Sequence, residues 1–177
     1  MPSGKTHDLI TLVLAPPTFA AAWGLTGSWA LASAATAATL FGGLMFGPDL
    51  DIQSKQYTRW GVFRFVWFPY KVVFRHRSRW SHGIIFGTLI RVVYFAAALA
   101  LLAWAGIYLR AVYVAGGGAP GWDDLLHVWR LVEVGAKYYG VGGDVLLAVL
   151  AGLWWGAASH TLTDVGVSVV RKGSEIF

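Results

Sequence analysis

The sequence predicts an all-α integral membrane protein, a bundle of about four transmembrane helices with an interfacial basic and aromatic segment. Three observations carry that expectation. The 177 residues are 56% hydrophobic and only 13% charged, with a mean hydropathy of +0.57, more apolar and less charged than a soluble domain. The apolar residues gather in stretches near the roughly 20 that cross a hydrocarbon core. The net charge of +5 is concentrated in one connection, and in a membrane protein such an excess is first an orientation signal. Nucleic acid is not an expected partner. The length fits one domain, residues 1–177. The absence of cysteine excludes disulfides and thiolate ligands, so any metal must be held by nitrogen and oxygen.

The first apolar stretch runs from about Leu9 to Trp23, with Pro16 and Pro17 in its middle. Proline removes a backbone donor, so a kink or a broken helix is expected there. The amino terminus lacks the layout of a cleavable signal, and this stretch is expected to be retained. A second stretch, Ser28 to Phe46, is rich in Ala and Gly, with Gly43 and Gly47 four apart near its end. The third, Gly83 to Leu109, is the longest. The fourth, Val145 to Val165, contains Gly152 and Gly156, a small-residue spacing that lets a neighbouring helix approach closely.

Two connections set the orientation. From Gln53 to Ser81 there are seven cationic residues and no acid, interleaved with Trp60, Phe63, Phe65, Trp67, Phe68, Tyr70 and Phe74. Such a segment suits the headgroup region of a bilayer and is expected to be cytoplasmic. The other, Arg110 to Asp144, is nearly balanced in charge and should lie on the far side; within it, Trp122, Leu126 and Trp129 mark an interfacial amphipathic helix that carries His127. Four spans then place both termini inside, beside Lys5 and beside Arg171 and Lys172.

On that topology the scarce polar clusters converge. His7 precedes the first span, Asp49 and Asp51 follow the second, His76 and His82 precede the third, and His160 and Asp164 lie in the last turns of the fourth. All arrive at the cytoplasmic face. Imidazole nitrogens and carboxylate oxygens are the ligands of zinc, manganese and iron. His160 and Asp164, four apart, share one helix face. Pro48 stiffens the exit of the second span, and Asp49 and Asp51 point alike if the chain there is extended. His76 and His82, six apart, do not share a helix face, so one can ligate while the other acts as acid, base or supporting donor. Plainer readings stand beside these: a buried hydrogen-bonded pair for His160 and Asp164, loop chemistry for the two aspartates, lipid-phosphate contacts for the arginines around His76, and a cap or surface position for His7. Arg91, two turns into the third span, either snorkels back to the face or meets a phosphate.

The segments MPSGKTHD, FGGLMFGPDLDI, HRSRWSH and SHTLTD resemble, in order and over nearly the whole chain, a cyanobacterial family of uncharacterised membrane proteins described as metal-binding. They are similar, more distantly, to the LexA-regulated membrane-bound metal-dependent hydrolases. The resemblance implies metal binding by a subset of His7, Asp49, Asp51, His76, His82, His160 and Asp164.

The expected cofactor is one or two divalent ions, zinc ahead of manganese or iron; with two, Asp49 or Asp51 would bridge them and His160 and Asp164 would complete a coordination sphere. For a hydrolase, His76 or His82 would protonate the leaving group and Arg77 would pair with a phosphate oxygen. Membrane lipid is the expected surrounding partner, and a lipid phosphoester or another membrane-bound amphiphile the expected substrate. The alternative is an ion that ties helix ends together without catalysis. A metal transporter is disfavoured, because the clusters hug one face instead of the midplane.

Overall fold

The computed structural model describes residues 3–74, 78, 80, 83–114, 116, 118, 121–138 and 142–174. They are helical, with no strand among the described residues. The elements are α1 (Gly4–Thr26), α2 (Trp29–Leu44), a 3-10 turn (Pro48–Asp51), α3 (Lys55–Arg59), a second 3-10 stretch (Gly61–Trp67), α4 (Phe68–Val73), α5 (Phe86–Val114), α6 (Trp122–Tyr138) and α7 (Gly143–Ser174). They divide into two units, Met1–Val92 with Asp144–Phe177, and Val93–Gly143.

Helix α1 starts five residues earlier than its apolar stretch. Ser3 caps it, its hydroxyl accepting the Thr6 N–H at 3.3 Å, which is the usual way to satisfy an orphan amide of the first turn. The helix runs unbroken through Pro16 and Pro17. Gly27, at φ 64°, then turns the chain, a backbone conformation that costs glycine nothing, and Ser28 caps α2 by accepting the Leu31 N–H at 3.3 Å. The two helices therefore form an antiparallel hairpin. Near its open end a Cβ on Gly43 would overlap the Thr11 side chain.

Helix α7 packs against α2 through glycine. A Cβ on Gly152 would run into the Ala35 carbonyl, and one on Gly156 into the Thr39 carbonyl; one on Gly42 would lie 2.7 Å from the Leu153 carbonyl. Residue numbers rise together along both helices, so α7 lies parallel to α2. The spacing of Gly152 and Gly156 thus marks a backbone contact that no larger residue could make.

Among the described residues three helices are long and apolar enough to cross a membrane: Gly4–Thr26, Phe86–Tyr113 and Gly143–Val169. Of the four spans expected, α2 falls short. Its 16 residues, at about 1.5 Å each, reach roughly 24 Å against a hydrocarbon core of about 30 Å. Large apolar side chains stand exposed along the long helices, Leu9, Val13 and Leu25 on α1, Leu89, Leu101 and Leu109 on α5, Leu147 and Val165 on α7. Patches of that extent are unsuited to water.

The basic aromatic segment is only partly a surface element. Phe46, Trp67 and Tyr70 are fully buried, with Trp67 edge-on to Phe46 at 5.4 Å, to Trp60 at 5.4 Å and to Tyr70 at 5.7 Å. Burial raises the Tyr70 phenol above its ordinary pKa, against the opposing pull of Arg91. Val62, Phe63, Phe65, Phe68 and Val72 remain exposed. One set of rings anchors the segment to the hairpin and the other is left outward. In the second unit, α6 is the amphipathic helix expected around His127, with Trp122, Leu126 and Trp129 exposed.

Candidate metal centre

The early start of α1 decides where His7 lies. It falls in the first turn of the helix instead of before it, and it is 6% exposed. One turn on, the Thr11 hydroxyl donates to the His7 carbonyl at 2.9 Å, and Thr11 in turn sits on the bare backbone of Gly43. Antiparallel α1 and parallel α7 bring the start of one beside the late turns of the other. His7 and His160 meet there as stacked rings, centroids 3.7 Å apart and planes 8° from parallel. His7 is therefore neither cap nor surface residue.

Carboxylates close around the stack. His7 Nε2 lies 3.3 Å from Asp164 Oδ1. His160 Nε2 lies 3.4 Å from Asp49 Oδ2 and 3.8 Å from Asp164 Oδ2. Ligand atoms of His7, His160 and Asp164 fall within 4.8 Å of one another. Asp49 comes from the turn after α2, where Pro48 occupies the first position and has no amide hydrogen to lose. Asp164 lies one turn beyond His160, as the spacing predicts.

The far nitrogen of His160 is also engaged. Gln56 Nε2 lies 3.3 Å from His160 Nδ1 and donates to the Gly43 carbonyl at 2.8 Å. A Cβ on Gly47 would collide with this amide, so the second glycine of the Gly43/Gly47 pair makes room for Gln56. Sequence reasoning missed Gln56. Its signal was faint, a neutral side chain in a basic segment, and only the glycine opposite marks it.

The other expected site residues divide. Asp51 is 4% exposed; like Asp49 it stands outside the trio of ligand atoms within 4.8 Å of one another, and both carboxylates act on Arg91. Pro48–Asp51 is a 3-10 turn and not an extended stretch, so the alternation that would point both carboxylates alike does not apply. Arg91 does not reach back to a surface. It is 1% exposed, beside Tyr70, and its Nη2 donates to Thr88 Oγ1 at 3.1 Å. His76, Arg77 and His82 lie outside the described residues. His127 is exposed on α6 in the second unit.

Beside the cluster is a cavity of about 250 Å3, lined by His7, Asp8, Asp49, Lys55, Gln56 and His160 among others. At its rim Arg59 grips Asp8 with both forks, Nη1 to Oδ1 at 2.9 Å and Nη2 to Oδ2 at 2.6 Å, while Nη1 also donates to the Leu44 carbonyl at 2.8 Å. The hydrogen bond to Asp8 raises the Arg59 pKa. This cation of the basic segment thus serves the protein's own carboxylate.

The donors suit a divalent ion. Two imidazoles and two carboxylates form a nitrogen and oxygen set of the kind zinc, manganese and iron accept. Gln56 Oε1 is buried with no hydrogen-bond partner among the described residues. The Gln56 amide nitrogen can only donate, so in the contact described His160 Nδ1 accepts; ligation through Nε2 would put the ring proton on Nδ1 and require the amide to turn its unpartnered Oε1 toward it.

An all-helical chain with three span-length helices and a buried His/Asp cluster defines a class, a helical protein able to hold a metal. The chain belongs to the family described as Uncharacterized metal-binding protein (DUF2227), which matches residues 2–173. It is also similar to an uncharacterized protein of Aquifex aeolicus (strain VF5), 41% identical over 56 residues, or 31% of this chain. That stretch spans 39% of the length of the curated relative. No solved structure matches the chain.

Proposed function

We propose that this chain is an integral membrane, metal-dependent hydrolase whose metal is held within the cluster of His7, His160, Asp164 and Asp49 at the cytoplasmic face. Zinc is the proposed metal, because imidazole and carboxylate are among its usual ligands and a sphere filled by only three of these four donors keeps a position open for water. The observation that carries the catalytic reading is the cavity against the cluster: an ion that only tied helices together would be closed in by protein.

A bound divalent ion supplies Lewis acidity, lowering the pKa of water and polarising a phosphoryl or carbonyl oxygen. The chain's own residues do the rest. Gln56 holds the His160 ring in place, and Asp164 and Asp49 bring negative charge to the ligand nitrogens. Lys55, half exposed at the cavity, attracts an anionic group. His76 or His82 is the proposed proton donor to the leaving group, and Arg77 the proposed phosphate contact.

The proposed substrate is a phosphoester of a membrane-bound amphiphile. Further along α1, an apolar groove of about 380 Å3 runs between α1, α2 and α7, lined by Leu14, Pro17, Ala35, Gly152 and Trp155 among others. His7, Thr11, Leu14 and Thr18 follow one another at helical spacing, so the polar cavity and the groove lie along one face of α1. A head at the first and a hydrocarbon chain in the second would use both. The exposed rings of Phe63, Phe65 and Phe68, with Arg64 between them, would seat the segment among lipid headgroups.

A second reading, a purely structural ion, is favoured by the burial of both histidines and by the three separate elements that the cluster joins. One experiment separates the two. Purified protein loaded with zinc should hydrolyse phosphomonoesters or phosphodiesters presented in lipid, and His160→Ala should lose both metal and turnover. Metal binding with no turnover of any such ester would leave the structural reading. Unchanged metal content in both His160→Ala and Asp49→Ala would remove the site.

A further inference from the structure

The geometry points to two metal ions, one held by His7 with Asp164 and one by His160 with Asp49, with the carboxylate of Asp164 bridging them. The inference rests on the metal-binding reading above and concerns how many ions the same residues hold.

The stack is the first reason. An imidazole nitrogen binds a metal along its lone pair, in the plane of the ring. His7 and His160 lie 3.7 Å apart and within 8° of parallel, so no single position is in the plane of both rings. An ion midway between them would stand well out of each plane. Two ions, one in each plane, would instead be separated by about the stacking distance, within the roughly 3.5–4 Å of two-metal sites.

The carboxylates are the second reason. Two donors each about 2.1 Å from one tetrahedral ion lie about 3.4 Å apart. His7 Nε2 and Asp164 Oδ1 are 3.3 Å apart, and His160 Nε2 and Asp49 Oδ2 are 3.4 Å apart. Each pair spans one edge of such a tetrahedron. The two oxygens of Asp164 are divided between the rings, Oδ1 toward His7 and Oδ2 toward His160 at 3.8 Å. A carboxylate so placed offers one oxygen to each ion.

His7, His160 and Asp49 also line the cavity, so a ligand of each proposed ion faces it. An in-line displacement at a phosphoryl centre uses two ions as a clamp on its entering and leaving oxygens.

The test counts metal and does not depend on turnover. Detergent-purified protein is dialysed to saturation against Zn2+ and, separately, Mn2+, and metal per chain is measured for the wild type, His7→Ala and Asp49→Ala. X-ray absorption on whichever metal is retained reports metal–metal scattering. Two ions per chain in the wild type, one in each variant, and a metal neighbour at about 3.5–4 Å are expected. One ion per chain in the wild type, or two with no metal neighbour, overturns the pair and leaves the single-metal reading standing. No bound ion of either kind overturns both.

Discussion

Gln56 and Arg59 lie three residues apart in the basic segment, and each is drawn to a different part of the site. Gln56 reaches the Gly43 carbonyl and His160 Nδ1. Removing it as Gln56→Ala would leave a buried carbonyl without its donor and free the ring, and supporting partners of ligand histidines are worth about 10–100-fold in metal affinity. A competition titration with a chelating dye should show zinc affinity falling by that order, with the number of ions unchanged at saturation. Arg59 clamps Asp8, and lysine cannot reproduce a two-pronged grip. Arg59→Lys should therefore lower the thermal midpoint while sparing metal content. The loss is about 1 kcal/mol, because the pair is partly in solvent. A variant that kept its midpoint but lost metal would mean that the clamp shapes the ligands.

At the scale of elements, the contact of α2 with α7 positions the site. Gly152 and Gly156 bring backbone against backbone, and His160 lies one turn beyond. A methyl group at Gly156 has nowhere to go between the Thr39 carbonyl and the Gly43 amide, 2.7 Å away for the latter. Overpacking of this kind costs about 1–3 kcal/mol. Gly156→Ala should weaken metal binding and lower the thermal midpoint together, since separating the helices also carries His160 away from Asp49. Gly166→Ala is the control: a Cβ there meets nothing within 4 Å, so metal binding should match the wild type and the midpoint should not fall, alanine being the better helix former.

For the whole molecule the site imposes a topology. His7 at the start of α1 and Asp49 after α2 approach the same His160, so the chain must return through α2 to the end of the bundle where α1 began. A helix of 16 residues can do so in a bilayer that thins locally or by using flanking polar side chains near the surface. Lys5, Lys71 and a position near Arg171 should then lie on one side of the membrane. The chain has no cysteine, so single cysteines introduced at these points can be labelled from either side of oriented vesicles without background. Labelling from the same side, the cytoplasmic one, is expected. Labelling of Lys5→Cys and Lys71→Cys from opposite sides would refute the topology.

Much of this could be read along the chain. Helical apolar runs, the close-packing glycines of α7, and His160 with Asp164 on one face follow from period and residue size, which are local properties. Pro16 and Pro17 suggested a kink or break that did not become a break, because a long helix tolerates lost amide bonds its neighbours can offset. His7 was the weakest member of the set on sequence alone, since one histidine near a terminus has no pattern, yet packing buries it against His160. Asp49 and Asp51, alike in sequence, lie on a 3-10 turn and not an extended stretch; Asp49 reaches His160, and both carboxylates act on Arg91. The sequence by itself determined which residues can bind metal and that the chain is helical and apolar, because composition and spacing carry that. Which ligands meet, how the rings stack and how Asp164 divides its oxygens were decided only by tertiary structure, because they depend on side chains more than 100 residues apart, such as Gln56 and His160, meeting across three helices.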